Sequence, residues 1–135
     1  MSGVHVRVGL GDETYALPVG NVTETATADG LAPLPGSPPS VVGVCNLRGE
    51  LLPVFDLAGV LGLPRSGNGE RMVVLEHSKH RAGLVVDAVH DVGPLGGPTE
   101  EVESDLLEGA VLDDGALVGI VDVARLFDRL AREAP

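Results

Sequence analysis

The chain has 135 residues, enough for one domain that buries roughly two-thirds of its unfolded surface. Nine basic and twenty acidic residues give a net charge of −11. This charge argues against binding to nucleic acid, because phosphates need clustered Lys and Arg. It also argues against binding to an anionic membrane surface. Two Phe, one Tyr and no Trp leave aliphatic residues to build the core, and 19 Gly with 10 Pro predict many turns between short strands.

The first part of the chain is predicted to be strands joined by tight turns. Val4, Val6, Val8 and Leu10 alternate with polar or small residues, a period of two that predicts a half-buried strand. The further predicted elements, in order, are a strand at 14–17, a helical turn at 18–22, a strand at 22–27, a proline-rich edge strand running into a loop at 31–39, and at most a helical turn at 41–43.

The most apolar hairpin follows, in the stretch GVCNLRGELLPVFD at 43–56. Strands are predicted at 44–48 and 50–55, with Gly49 taking the positive φ that a tight turn needs. Asp56 is predicted to cap a short helix at its N-terminus. The single cysteine, Cys45, cannot form an internal disulfide or a structural thiolate zinc site, and its place in an apolar strand indicates a small buried hydrophobe.

The second half of the chain continues as strands and closes with one helix. The predicted elements are strands at 72–75 and 81–86 joined by the polar turn 77–80, a strand at 88–92, a hairpin of 109–112 with 116–121 across an Asp-Gly turn, and polar connections at 65–70 and 93–105. The helix is predicted at about 122–132, with Asp122 as its N-cap.

Nine or ten short strands without long crossover helices favour a mainly β fold of two small barrels over a βαβ architecture. We expect residues 1–135 to form one domain, with the second barrel subdomain built mainly from about 71–121. The chain also lacks an apolar segment of signal-peptide or membrane-spanning length near its start, which predicts a cytoplasmic protein.

Catalytic and metal-binding constellations are absent from the sequence. No G-x-S-x-G elbow, P-loop or G-x-G-x-x-G occurs. His77 and His80 lie three residues apart in a predicted turn with no Cys or third His nearby, so we expect solvated turn residues and not metal ligands. No cofactor or metal is predicted. This pattern favours a binding module over an enzyme.

Four blocks of the sequence resemble the CheW family, whose members are adaptors that couple chemoreceptors to the histidine kinase CheA. VGVCNLRG at 42–49 followed by LPVFDL at 52–57 is similar to the family signature G-V-x-N-L-R-G-x-[VIL]-x-P-[VI]-[VIFL]-D-L. The remaining three blocks lie at 10–24, 83–92 and 117–126, so that the resemblance covers residues 4–131.

The resemblance implies two five-stranded, SH3-like β-barrel subdomains that share a core, with no catalytic activity and no cofactor. It implies that the chain contacts the helical tip of a chemoreceptor and the regulatory domain of a CheA-type kinase, and that it is recruited to membrane-associated receptor arrays. The residues that it carries over as partner contacts are Val22, Glu24, Asn46, Arg48, Val89 and Val92.

Each of these assignments has a structural alternative. Asn46 could do no more than bond the backbone of its turn, and Arg48 could only stabilise that turn. Arg48 and Glu24 could pair either with each other or with polar groups of the partner. Val89 and Val92 are three residues apart and cannot face the same way on a regular strand, so one belongs to the core unless a bulge intervenes.

Two other functions stay open at this point. One is a CheW-like adaptor of a chemosensory pathway other than chemotaxis. The other, which the pattern favours less, is a small enzyme or metal-dependent sensor that uses His77 and His80. The stimulus, the receptor and the reactivity of Cys45 are not encoded in any recognisable motif.

Overall fold

The structure is a computed structural model that describes residues 3–64 and 69–133. It contains ten strands, two α-helices and one 3-10 turn at Val19–Asn21 within these residues. The strands are β1 (Gly3–Leu10), β2 (Glu13–Pro18), β3 (Val22–Thr27), β4 (Val41–Leu47), β5 (Glu50–Asp56), β6 (Arg71–His77), β7 (His80–Val86), β8 (Ala88–Leu95), β9 (Leu107–Asp113) and β10 (Ala116–Val121). The helices are α1 (Leu57–Val60) and α2 (Val123–Glu133).

The ten strands form two five-stranded sheets. The first, here called the terminal sheet, has the order β8-β1-β2-β10-β9, and the second, the central sheet, has the order β3-β6-β7-β5-β4. Each sheet contains one parallel pair, β2 with β10 and β5 with β7, among antiparallel neighbours. The mainly β fold with two five-stranded subdomains is therefore confirmed, although the hydrogen-bonded ladders leave both sheets open at their edges.

The division of the chain between the sheets differs from the predicted one. β6 and β7 do not belong with β8 to β10, because they complete the sheet begun by β3, β4 and β5. β8, β9 and β10 instead return to β1 and β2. The structure therefore differs from the predicted second subdomain of about 71–121, because both subdomains draw strands from both halves of the chain. The cause is non-local pairing, including the two parallel contacts, which local periodicity does not encode.

The two sheets and α2 enclose a shared apolar core. Val8 of the terminal sheet, Leu75 and Leu84 of the central sheet, and Leu126 of α2 are all fully buried members of it. Two smaller clusters fill the interiors of the sheets. Cys45 lies in the cluster of the central sheet and is buried, which agrees with its predicted role as a small hydrophobe.

The two predicted helix caps have different outcomes. The Asp122 carboxylate accepts a hydrogen bond from the backbone N–H of Arg125 at 3.1 Å, so it caps α2 as predicted. Asp56 stands at the N-cap position of α1, but its side chain makes no capping hydrogen bond. Its backbone N–H donates to the carbonyl oxygen of Ser40 at 2.8 Å. The predicted side-chain cap at Asp56 is therefore wrong.

Two local predictions before the main hairpin are also wrong. Residues 41–43 begin β4, because they pair with the end of β5, and a register shift between Val41 and Gly43 bends the strand there. The proline-rich stretch 31–39 makes only an isolated bridge, Ala32 with Val44, because proline lacks the N–H that a ladder needs. Most of the predicted connection at 65–70 lies outside the described residues.

No helix in the described ranges is long and apolar enough to cross a membrane.

Candidate functional site

The turn between β4 and β5 consists of Arg48 and Gly49. Their φ angles are 51° and 86°, as in the two-residue hairpin turns whose central residues both have positive φ. The backbone N–H of Gly49 donates to Oδ1 of Asn46 at 2.9 Å. The side chain of Asn46 thus binds the turn backbone, which supports its structural interpretation. Arg48, by contrast, projects outward, with 71% of its side chain exposed.

Arg48 forms an ion pair with Glu24 of β3. Glu24 is the less exposed partner, at 22% of its side chain. β3 and β4 are the two edges of the central sheet, so a side chain at the end of one edge can reach the other only because the sheet is strongly curled. The ion pair therefore lies across the open side of the barrel-like subdomain.

A second arginine, Arg81, also lies close to Glu24, and sequence reasoning missed it. It is the second residue of β7, the strand in the middle of the central sheet, and its Nη2 is 4.0 Å from Oε2 of Glu24. Its guanidinium also pairs with Glu50 and lies 3.7 Å from Glu76. No signal in the sequence singles it out, because its partners belong to three other strands.

Val22 and Val89 lie at the border of the shared core. Both are half-buried and pack against it, Val22 from the central sheet and Val89 from the terminal sheet. Glu24 lies two residues after Val22 on β3. The pairing of β3 with β6 shifts register between these two residues. These two apolar residues come from different subdomains but contact one core.

A bulge brings Val89 and Val92 to the same face of β8. Arg7 pairs with Asp91 and the next residue of β1, Val8, pairs with Val89, so His90 is an extra residue in β8. Val92 stands opposite Val6, and Val6 and Val8 share one face. Val92 is 58% exposed, whereas Val89 is half-buried. Both valines can therefore contribute to one apolar surface.

The six residues do not form one contact cluster. Glu24 and Arg48 touch each other, and Asn46 holds the adjacent turn. Val22 and Val89 both pack against the shared core. Val92 lies on the terminal sheet, whereas Arg48 belongs to the central sheet. The arrangement is an ion pair beside apolar residues, which suits docking of an amphipathic helix, with the charges fixing its orientation.

The predicted turn histidines contribute to a different surface. His77 and His80 stand opposite each other at the β6–β7 hairpin, and the ring of His77 lies 5.7 Å from that of Phe127 of α2. Both line a groove of about 390 Å³ between α2 and the central sheet. Over the residues that the structure describes, no three His, Cys, Asp or Glu side chains are grouped to hold a metal ion.

Comparisons with protein families, with curated proteins and with solved structures point to the same family. The CheW-like domain family matches residues 5–131. The probable chemotaxis protein CheW of Rhizobium etli is 31% identical over 135 residues, covering 93% of this chain and 87% of that protein. Protein PilI of Pseudomonas aeruginosa is 40% identical over 90 residues, covering 65% of this chain and 49% of that protein. The crystal structure of the scaffolding protein TtCheW from Thermoanaerobacter tengcongensis superimposes with a TM-score of 0.83 at 29% identity, covering 94% of this chain and 88% of that one.

Proposed function

This chain belongs to the CheW-like domain family, and on that premise we propose that it is a non-catalytic adaptor that couples methyl-accepting chemoreceptors to a CheA-type histidine kinase. Two findings support the proposal. A relative matched over 87% of its length is named as a probable chemotaxis protein, and a structural neighbour is named as a scaffolding protein. The adaptor would act in the cytoplasm, at receptor arrays on the membrane.

The exposed Arg48 is the observation that carries the proposal. The turn is held by the hydrogen bond between Gly49 and Asn46, and the guanidinium of Arg48 lies at the surface beside Glu24. Val22, on the same strand as Glu24, offers half-buried apolar surface. A receptor helix would place apolar side chains against the valines and a polar group against Arg48. Val89 and Val92 would extend this contact from the terminal sheet.

Reconstitution tests the proposal directly. Purified chain, a chemoreceptor cytoplasmic fragment and the CheA-type kinase from the same genome are mixed, and kinase autophosphorylation is measured with and without the chain. We expect the receptor to control the kinase only when the chain is present. Unchanged kinase control in its absence would contradict the adaptor function.

A second candidate is an adaptor for a chemosensory pathway other than chemotaxis. It is favoured by the 40% identity to a protein named PilI, whose name does not mention chemotaxis. The two candidates share the same site and differ in the receptor served. Deleting the gene and scoring swimming and surface motility separately distinguishes them, because only loss of directed swimming supports the chemotaxis assignment.

A further inference from the structure

Glu24 is shared by two arginines that are held very differently. Arg48 reaches it from a hairpin turn and is the most exposed of the three side chains, whereas Arg81 approaches the same oxygen, Oε2, from the central strand β7. Because 71% of the Arg48 side chain is exposed, water can solvate its guanidinium when it leaves Glu24, and such ion pairs stabilise a fold little. Arg48 is therefore the partner that can leave Glu24 at small cost.

Arg81 is anchored and cannot leave in the same way. Besides Glu24, it contacts Glu50 and Glu76, and its Nη2 donates to Oγ1 of Thr23 at 3.5 Å. Only about a quarter of its side chain is exposed, at 27%. These contacts come from three other strands of the central sheet. β5 and β6 flank β7 on its two sides, and β3 lies beyond β6. The guanidinium thus has a fixed position next to Glu24.

The charge balance shows what Arg81 does for Glu24. Three carboxylates, those of Glu24, Glu50 and Glu76, face two guanidinium groups, those of Arg48 and Arg81. If Arg81 were neutral, removal of Arg48 would leave the half-buried Glu24 without a cation. An unpaired, partly buried carboxylate is costly, so Glu24 would hold Arg48 more tightly.

We propose that Arg81 is the positioning residue of the receptor site: it neutralises Glu24 so that Arg48 can move from Glu24 to an acidic side chain of the partner. This role rests on the proposed function. It specifies that the group recognised by Arg48 is a carboxylate, and that the ion pair seen between Arg48 and Glu24 is the unbound arrangement.

The test measures binding of a chemoreceptor helical-tip fragment from the same genome by calorimetry. The variants of the full chain are Arg81→Gln, Arg81→Lys and Arg48→Gln, together with Arg81→Gln combined with Arg48→Gln. We expect Arg81→Gln to weaken binding about fivefold or more, and Arg81→Lys, which keeps the charge, to stay within about twofold of the wild type. In the Arg48→Gln background, Arg81→Gln is expected to have no further effect, because the role acts through Arg48.

Each other outcome counts against the role. Equal weakening by Arg81→Gln with and without Arg48 would show that Arg81 supports the fold generally, and unchanged binding would exclude the role while leaving the adaptor function intact. If wild-type chain fails to bind the fragment, the proposed function fails as well. Should Arg81→Gln not fold, Glu50→Gln removes a carboxylate that competes with Glu24 for Arg81, and it is expected to strengthen binding only when Arg48 is present; weaker or unchanged binding would count against the role.

Discussion

Arg48 and Glu24 connect the two edge strands of the central sheet, β4 and β3, although these strands stand at opposite ends of the ladder. The terminal sheet has a comparable connection. Arg7 of β1 binds Asp113 of edge strand β9 at 3.0 Å and Asp91 of edge strand β8 at 3.3 Å. In both sheets, an arginine spans an opening that backbone hydrogen bonds leave unclosed.

Replacing Arg48 by Glu is expected to abolish receptor-fragment binding while changing the free energy of unfolding by less than about 1 kcal/mol. The substitution puts a second carboxylate beside Glu24 but affects only an exposed turn. Arg125→Glu on α2, where an exposed arginine lies 3.6 Å from Asp122, is the matched charge reversal and should keep binding. Thermal melts and pull-down separate the effects. Retained binding with a collapsed melting temperature would mean that Arg48 is structural.

Two glycines with positive φ are expected to respond very differently to alanine. A Cβ on Gly43 would lie 2.2 Å from the carbonyl oxygen of Ala32, whereas a Cβ on Gly49 would meet nothing within 4 Å. Gly49→Ala should therefore lower the free energy of unfolding by about 1–2 kcal/mol, the cost of a positive φ in a residue with a Cβ. Gly43→Ala should cost more, because the 31–34 segment must move or separate from β4. Urea unfolding of both variants measures the difference, and equal costs would contradict the close approach.

Loss of the Arg7 side chain should destabilise the terminal sheet. Arg7 is 14% exposed, and its Nη2 also donates to the carbonyl oxygen of Pro94 at 2.8 Å. We expect Arg7→Met to cost about 1–3 kcal/mol, because Asp91 and Asp113 lose a partner but keep contact with water. Arg125→Met, at an exposed site, should cost less than about 0.5 kcal/mol. Similar values for the two variants in denaturant unfolding would argue that Arg7 does not hold the edges of the sheet together.

Tyr15, the chain's single tyrosine, should ionise only at strongly alkaline pH. Burial raises the pKa of its phenol, and the hydrogen bond that the phenol donates to Glu13 at 2.9 Å raises it further. Because the pKa is higher in the folded state than the ordinary value of about 10, stability is full below pH 10 and falls as pH rises above it. Tyrosinate absorbance should therefore appear together with alkaline unfolding. Ionisation near pH 10 in the folded protein would contradict the buried environment.

Local patterns predicted much of this fold. The alternation around Val6 and Val8, the hairpin turns at Gly49 and Gly115, and the helix begun by Asp122 all depend on neighbours in sequence, and the structure contains each of them. The signature around Arg48 likewise pointed to the family. Side-chain periodicity and turn residues encode which face of an element is buried and where the chain reverses.

Other features depend on partners that are distant in sequence. Neither the assignment of β6 and β7 to the central sheet nor the bulge that aligns Val89 with Val92 follows from local pattern. The same holds for Arg81, whose importance comes from acids on three other strands. Strand pairing and register are selected by the free energy of the whole sheet. Residues that are far apart along the chain, such as Glu24 and Arg48, therefore become partners only when the sheet curls and its edges meet.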